Sequence, residues 1–78
     1  MTSRNILLAN IGDVKEFVEI TSRCDYDIDL VSGRYTVDAK SMIGIFSLDL
    51  SRPIKMVVHS EDAGELLEKT NKFRTHLQ

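Results

Sequence analysis

The feature that most constrains the fold is the change in spacing of the apolar residues along the chain. A short apolar run at 4–9 suits a strand, and apolar residues then recur every three or four positions from about 11 to 24, which predicts an amphipathic helix. Two alternating runs follow on either side of Ser32-Gly33-Arg34. Alternation around a glycine-containing turn predicts a β-hairpin.

The second half of the chain repeats this change of period. Ser41 to about Phe46 has the spacing of a short helix, and residues 53–58 alternate again. A last helix should begin near Asp62, which forms an N-capping pattern with Glu65. The apolar stripe of this helix consists of Ala63, Leu66, Leu67, Thr70, Phe73 and Leu77. The order β-α-β-β-α-β-α predicts an α+β open-faced β-sandwich, with a four-stranded antiparallel sheet and the helices on one face.

Length and composition narrow the class of protein. A chain of 78 residues is expected to form a single domain over 1–78. A net charge of −2 argues against direct nucleic-acid binding, which usually needs a basic face. Cys24 is the only cysteine, so an intrachain disulfide and a cysteine-based zinc site are excluded. We find neither a signal-peptide core nor a membrane span, and therefore expect a cytoplasmic protein.

The residue types that usually carry chemistry form no convincing constellation. His59 and His76 have no partners in the pattern and are expected to be solvated. Asp25, Asp27 and Asp29 lack the glycine and the terminal glutamate of a calcium loop, and Cys24 is interpreted as a small buried apolar residue. We therefore predict no metal, no cofactor and no enzymatic activity.

The chain resembles the HPr family, the histidine-containing phosphocarrier proteins of the sugar phosphotransferase system, over nearly its whole length. The resemblance rests on the element order, on "EFVEITSR" in the first helix and on "VDAKSMIGIFSLDL" at 37–50. The segment "HSEDAGELLEK" is similar to the last turn and helix of the family, more loosely. The family has a phosphoacceptor histidine before the first helix, followed closely by an arginine and a proline.

The resemblance implies that the carrier chemistry is lost. Counting back from Phe17-Val18 places Asn10 at the histidine position, Gly12 at the arginine and Asp13 at the proline. An amide does not accept a phosphoryl group as an imidazole does, and Asp13 adds negative charge. The combination is similar to the catabolite-repression HPr homologue, which also lacks the histidine and keeps the regulatory serine.

The resemblance also implies a regulatory site that survives. Ser41 matches the serine that an HPr kinase phosphorylates, and Met42, Ile43 and Phe46 match the patch through which the family docks partners. HPr kinase and a LacI-type transcriptional regulator of carbon catabolite repression are the implied partners. An exposed patch on so small a domain is also compatible with a homodimer.

Other interpretations stay open at this stage. Ser41 has the ordinary alternative of being only a helix N-cap, and Met42, Ile43 and Phe46 that of being core residues. The protein is alternatively a phosphocarrier that uses another residue, such as His59. A third alternative is an ACT-like ligand-sensing domain, with its site at the first strand–helix turn in "LANIGDV".

Overall fold

The computed structural model describes residues 1–75 and contains one antiparallel sheet. Its four strands are β1 (Thr2–Ile6), β2 (Ile28–Ser32), β3 (Tyr35–Asp38) and β4 (Ile54–Val58), in the spatial order β1-β4-β2-β3. β4 pairs with β1 on one side and with β2 on the other. The predicted four-stranded antiparallel sheet is confirmed.

The hairpin between β2 and β3 forms where alternation and glycine predicted it. Ser32 pairs with Tyr35, which leaves Gly33 and Arg34 as a two-residue turn. Gly33 has φ +60°, a conformation that L side chains rarely adopt, and glycine at this position is what a type II′ turn requires. The turn therefore fixes the register in which Leu30 pairs with Val37.

Three α-helices cover one face of the sheet. They are α1 (Ile11–Thr21), α2 (Met42–Phe46) and α3 (Gly64–Lys69), and a 3-10 helix (Asn71–Phe73) follows α3. Buried residues of all three α-helices join those of the strands in one apolar cluster. The fully buried residues of β2 and β4 alternate along each of these two strands, as a sheet with one covered face requires: Ile28, Leu30, Ile54, Met56 and Val58.

The first strand and the first helix end earlier than their apolar patterns predicted. β1 covers 2–6 rather than 4–9, although Leu8 is buried beyond its end. α1 ends at Thr21 rather than near 24, because Cys24 N–H bonds to the oxygen of Thr21 and tightens the last turn. Cys24 is thus a half-buried residue just outside the helix, packed against the core.

The last helix differs most from the prediction. Its N-cap is Ala63, which makes no side-chain capping bond, so the capping pair of Asp62 and Glu65 was wrong. The helix stops at Lys69, and the chain turns so that Arg74 pairs with Ile6 of β1. The predicted stripe keeps its inward face, with Ala63, Leu66, Thr70 and Phe73 all buried, whereas Leu77 and His76 lie outside the described residues.

Pairing along β1 explains this interruption. Leu7 N–H donates to Phe73 O at 2.8 Å, and Thr75 N–H donates to Asn5 O at 3.0 Å. A continuous helix would point these groups along its own axis, and the β1 edge would remain unpaired. The ring of Phe73 meets that of Phe17 edge to face, with centroids 5.9 Å apart.

Candidate functional site

The start of α1 is closed by its own side chains. Asn10 is the N-cap, and its Oδ1 accepts the Asp13 N–H at 2.8 Å. Asp13 in turn accepts the Ala9 N–H through Oδ2 at 2.9 Å. A side chain at Gly12 would press on this arrangement, because a Cβ built there lies 3.2 Å from the Asn10 oxygen. The carboxylate of Asp13 therefore occupies the region where a helix start would favour a bound anion.

Ser41 is the N-cap of α2. Its Oγ accepts the Gly44 N–H at 3.1 Å, and its carbonyl accepts the Ile45 N–H at 3.0 Å. The capping interpretation is thus confirmed by geometry, and the side chain is half-buried. Gly44 permits this close packing, because a Cβ there would lie 3.2 Å from Ser41 Oγ and 3.3 Å from Val37 Cβ.

The apolar residues of α2 divide between the core and the surface. Ile45 is fully buried, and Met42 is partly buried against the core. Ile43 is 86% exposed and Phe46 is 45% exposed. Two of the three predicted patch residues therefore present large apolar side chains outward, and Met42 contributes mainly to packing. We call Ile43 and Phe46 the α2 patch.

Two buried or half-buried bonds tie the loop before Ser41 to the end of α1. Thr21 Oγ1 donates to Ala39 O at 2.9 Å, and Lys40 Nζ donates to Cys24 O at 2.9 Å. Both contacts join residues 16 or more positions apart. Sequence reasoning missed these positioning residues, because neither a threonine in an apolar stripe nor a lone lysine identifies its acceptor.

His59 is exposed, as expected, but the expectation that it has no partner was wrong. Its Nε2 lies 2.8 Å from Asp29 Oδ2 on β2, and both side chains are about two-fifths exposed. The contact arises because residues at the end of β4 lie beside β2, which the sequence does not show. Asp25 and Asp27 are exposed. Within residues 1–75, no group of three His, Cys, Asp or Glu side chains is placed to hold a metal ion.

Ile11, in the first turn of α1, is a further exposed apolar residue, at 61%. Its exposure could not be predicted from the sequence, because Ile11 continues the spacing of the buried stripe of α1. No helix in the described part of the chain is long and apolar enough to cross a membrane.

Comparison with known proteins identifies the fold. No protein-family model matches the chain, and no curated protein matches it. Among solved structures, HPr-C-His from Thermoanaerobacter tengcongensis matches with a TM-score of 0.75 and 23% identity, over 92% of this chain and 89% of that chain. The phosphocarrier protein HPr from Bacillus anthracis str. Ames matches with a TM-score of 0.71 and 27% identity, over 94% of both chains. The chain therefore has an HPr-like α+β fold, and its structural neighbours are HPr phosphocarrier proteins.

Proposed function

We propose that this HPr-like protein is a regulatory protein-binding module of the phosphotransferase system that carries no phosphoryl group at the start of α1. It docks partners through the α2 patch, and phosphorylation of Ser41 controls that docking. The similarity to solved HPr proteins supports the connection with the phosphotransferase system.

The capping of α1 is the observation that carries this proposal. At the position that the resemblance assigns to the phosphoacceptor stands Asn10, whose Oδ1 is already bonded to Asp13 N–H. An incoming phosphoryl group would also meet the carboxylate of Asp13, which is held by the Ala9 N–H. The two negative charges would repel each other, and the position that the resemblance assigns to an arginine is Gly12. Loss of the carrier step follows from both features together.

Control by Ser41 is supported by where its hydroxyl lies. The residue immediately precedes α2, and Ile43 of the α2 patch is two positions away. A phosphoryl group would add about −1.5 to −2 charge units next to an apolar docking surface. Such a change weakens the binding of partners that need an uncharged surface, and it strengthens the binding of partners that offer arginine or lysine beside an apolar pocket. By resemblance, the kinase is an HPr kinase, and the partner that binds the phosphorylated protein is a LacI-type transcriptional regulator.

The phosphorylation is tested by intact-mass measurement after incubation with ATP and an HPr kinase. We expect one added phosphate on the wild type and none on Ser41→Ala. Ser47→Ala is the matched control, because Ser47 is the C-cap of the same helix and is exposed, and it should be phosphorylated like the wild type. An unmodified wild type, with a kinase that modifies an authentic HPr in parallel, contradicts the role of Ser41.

A second incubation, with phosphoenolpyruvate and enzyme I, distinguishes the proposed regulatory module from a phosphocarrier. We expect no added mass. A phosphate that appears on the wild type and disappears in His59→Gln would establish the carrier alternative. The ACT-like alternative gains no support from the matched structures, and melting curves that stay unchanged with amino acids would weaken it further.

Docking is tested with Ile43→Ser against Tyr35→Ser. Both residues are largely exposed, at 86% and 67%, so neither change should unfold the protein. We expect Ile43→Ser to weaken binding to the regulator by about tenfold or more, which corresponds to loss of a well-packed apolar contact. Tyr35→Ser, on β3, should bind as the wild type does. Equal binding by both variants contradicts docking through the α2 patch.

A further inference from the structure

An open cleft lies between the β2–β3 turn and the loop that joins α2 to β4. Its volume is about 1030 Å³. The turn contributes Arg34 and Tyr35 to one side, and the loop contributes Asp49 and Arg52 to the other. Asn10, Ser41, the α2 patch and His59 do not line it, so the cleft is separate from the site discussed above.

Two guanidinium groups in this cleft are available to a ligand. Arg34 is exposed in the turn, and within residues 1–75 no acidic side chain lies within ion-pairing distance of it. Arg52 is 80% exposed, and its Nε lies 3.8 Å from Asp49 Oδ2, near the limit of an ion pair. The chain as a whole has a net charge of −2, so the pair of arginines is a local reversal of sign.

Among the described residues, Asp49 is the one carboxylate side chain that lines the cleft, and its Oδ1 is already hydrogen-bonded. Its Oδ1 accepts the Ser51 hydroxyl at 2.5 Å and the Ser51 N–H at 3.1 Å. These bonds hold the pKa of Asp49 below its ordinary value, with a further contribution from Arg52. Asp49 is therefore ionised at neutral pH, and the lining side chains carry two positive charges against one negative charge.

The remaining walls provide an aromatic surface. The side chain of Tyr35 is 67% exposed. At the end of α2, Gly44 O accepts the Ser47 N–H at 3.1 Å and the Ser47 hydroxyl at 2.5 Å, and Ile45 O accepts the Leu48 N–H at 3.0 Å. Gly44 and Ile45 do not line the cleft, and their carbonyls bind N–H and hydroxyl groups of residues 47 and 48.

We propose that this cleft binds a phosphate monoester attached to a planar ring, the chemistry of a mononucleotide. The phosphate lies between Arg34 and Arg52, because a guanidinium presents paired donors that match phosphate oxygens. The ring stacks on Tyr35, since aromatic side chains accept planar ring systems with little regard to their substituents. This site is independent of Ser41, of the α2 patch and of the proposed docking function.

Calorimetric and amide-shift titrations of the full chain with AMP test the proposal, with adenosine and inorganic phosphate as the two partial ligands. We expect AMP to bind more tightly than either one, with shifts at the turn and the α2–β4 loop. Because the contact is ionic, affinity should fall as salt rises. Failure of AMP to bind, or shifts spread over the surface, overturns the proposal.

Variants assign the parts of the ligand to their partners. Arg34→Ala combined with Arg52→Ala should weaken AMP binding by at least about tenfold, as expected for lost charge-assisted hydrogen bonds. Tyr35→Leu should lower the affinity for AMP to that for phosphate, and Asp49→Asn should raise both affinities. Arg23→Ala removes one charge just beyond the end of α1, where Arg23 pairs with Glu19 at 3.5 Å. It should bind as the wild type does, and an equal loss there overturns the site.

Discussion

Replacing Thr21 by valine should destabilise the protein more than the small change in shape suggests. Thr21 is fully buried, and its hydroxyl donates to Ala39 O in the loop that leads to Ser41. Among the described residues no other donor bonds to this oxygen. Valine keeps the volume of the side chain but leaves the Ala39 carbonyl without a partner in a buried position.

The expected magnitude follows from that unsatisfied carbonyl. A buried polar group that loses its partner costs about 1–3 kcal/mol, so we expect Thr21→Val to lower the free energy of unfolding by about 2 kcal/mol. In a domain of this size each kcal/mol shifts Tm by about 4–8 °C. The melting temperature should therefore fall by about 8–16 °C.

Thr70→Val is the matched control, measured with Thr21→Val by urea unfolding at a common m-value. Thr70 is also fully buried, and its hydroxyl donates to Leu66 O at 2.7 Å. Leu66 O additionally accepts the Thr70 N–H at 2.9 Å, so the carbonyl keeps a donor after substitution. We expect the loss for Thr70→Val to be clearly smaller. Equal losses for the two variants would refute the argument from the unsatisfied carbonyl.

Two further predictions concern pH and helix capping. Burial raises the pKa of Tyr26 to about 12, with the Cys24 side chain contributing a hydrogen bond, and the ordinary value is about 10. The stability that neutral Tyr26 contributes is thus complete below about pH 10 and is lost as pH rises through about 12. In urea unfolding measured across this pH range, Tyr26→Phe should lose less stability than the wild type. Phenolate absorbance of Tyr26, measured in a Tyr35→Phe background, should report the raised pKa. Asn10→Ala should cost about 1 kcal/mol, because Asp13 N–H loses its acceptor at 2.8 Å, whereas Asn10→Ser should restore most of this stability. An alanine variant as stable as the wild type would contradict the capping role.

The hairpin and α2 were predictable because their signals are local. Gly33 sets the turn, alternation on both sides sets the buried face, and Ser41 precedes the change to helical spacing. Each of these features acts over a few residues, so neighbouring sequence contains the whole explanation. The same holds for the inward residues of β4, where Ile54, Met56 and Val58 alternate with exposed Lys55.

The end of α3 and the partner of His59 were not predictable because they depend on distant pairing. The apolar stripe continues past Lys69, yet hydrogen bonds from 73–75 to β1 interrupt the helix. His59 meets Asp29 only because β4 lies between β1 and β2. Strand order decides both outcomes, and periodicity along the chain does not contain strand order.

Under the proposed function, an HPr-like fold has a docking role without carrier chemistry, and the contacts between the end of α1 and the loop before α2 explain how the two can be separate. Thr21 and Lys40 fix this loop at the C-terminal end of α1, far along the helix from Asn10 and Asp13 at its start. Replacements at the start change the local cap and its charge, whereas the position of Ser41 depends on bonds that those replacements do not touch. The two ends of α1 are therefore free to diverge separately, since substitutions without shared contacts act almost independently. Under the proposed function this independence has a measurable consequence: Asn10→Ala should leave phosphorylation of Ser41 unchanged, whereas Thr21→Val should alter its rate.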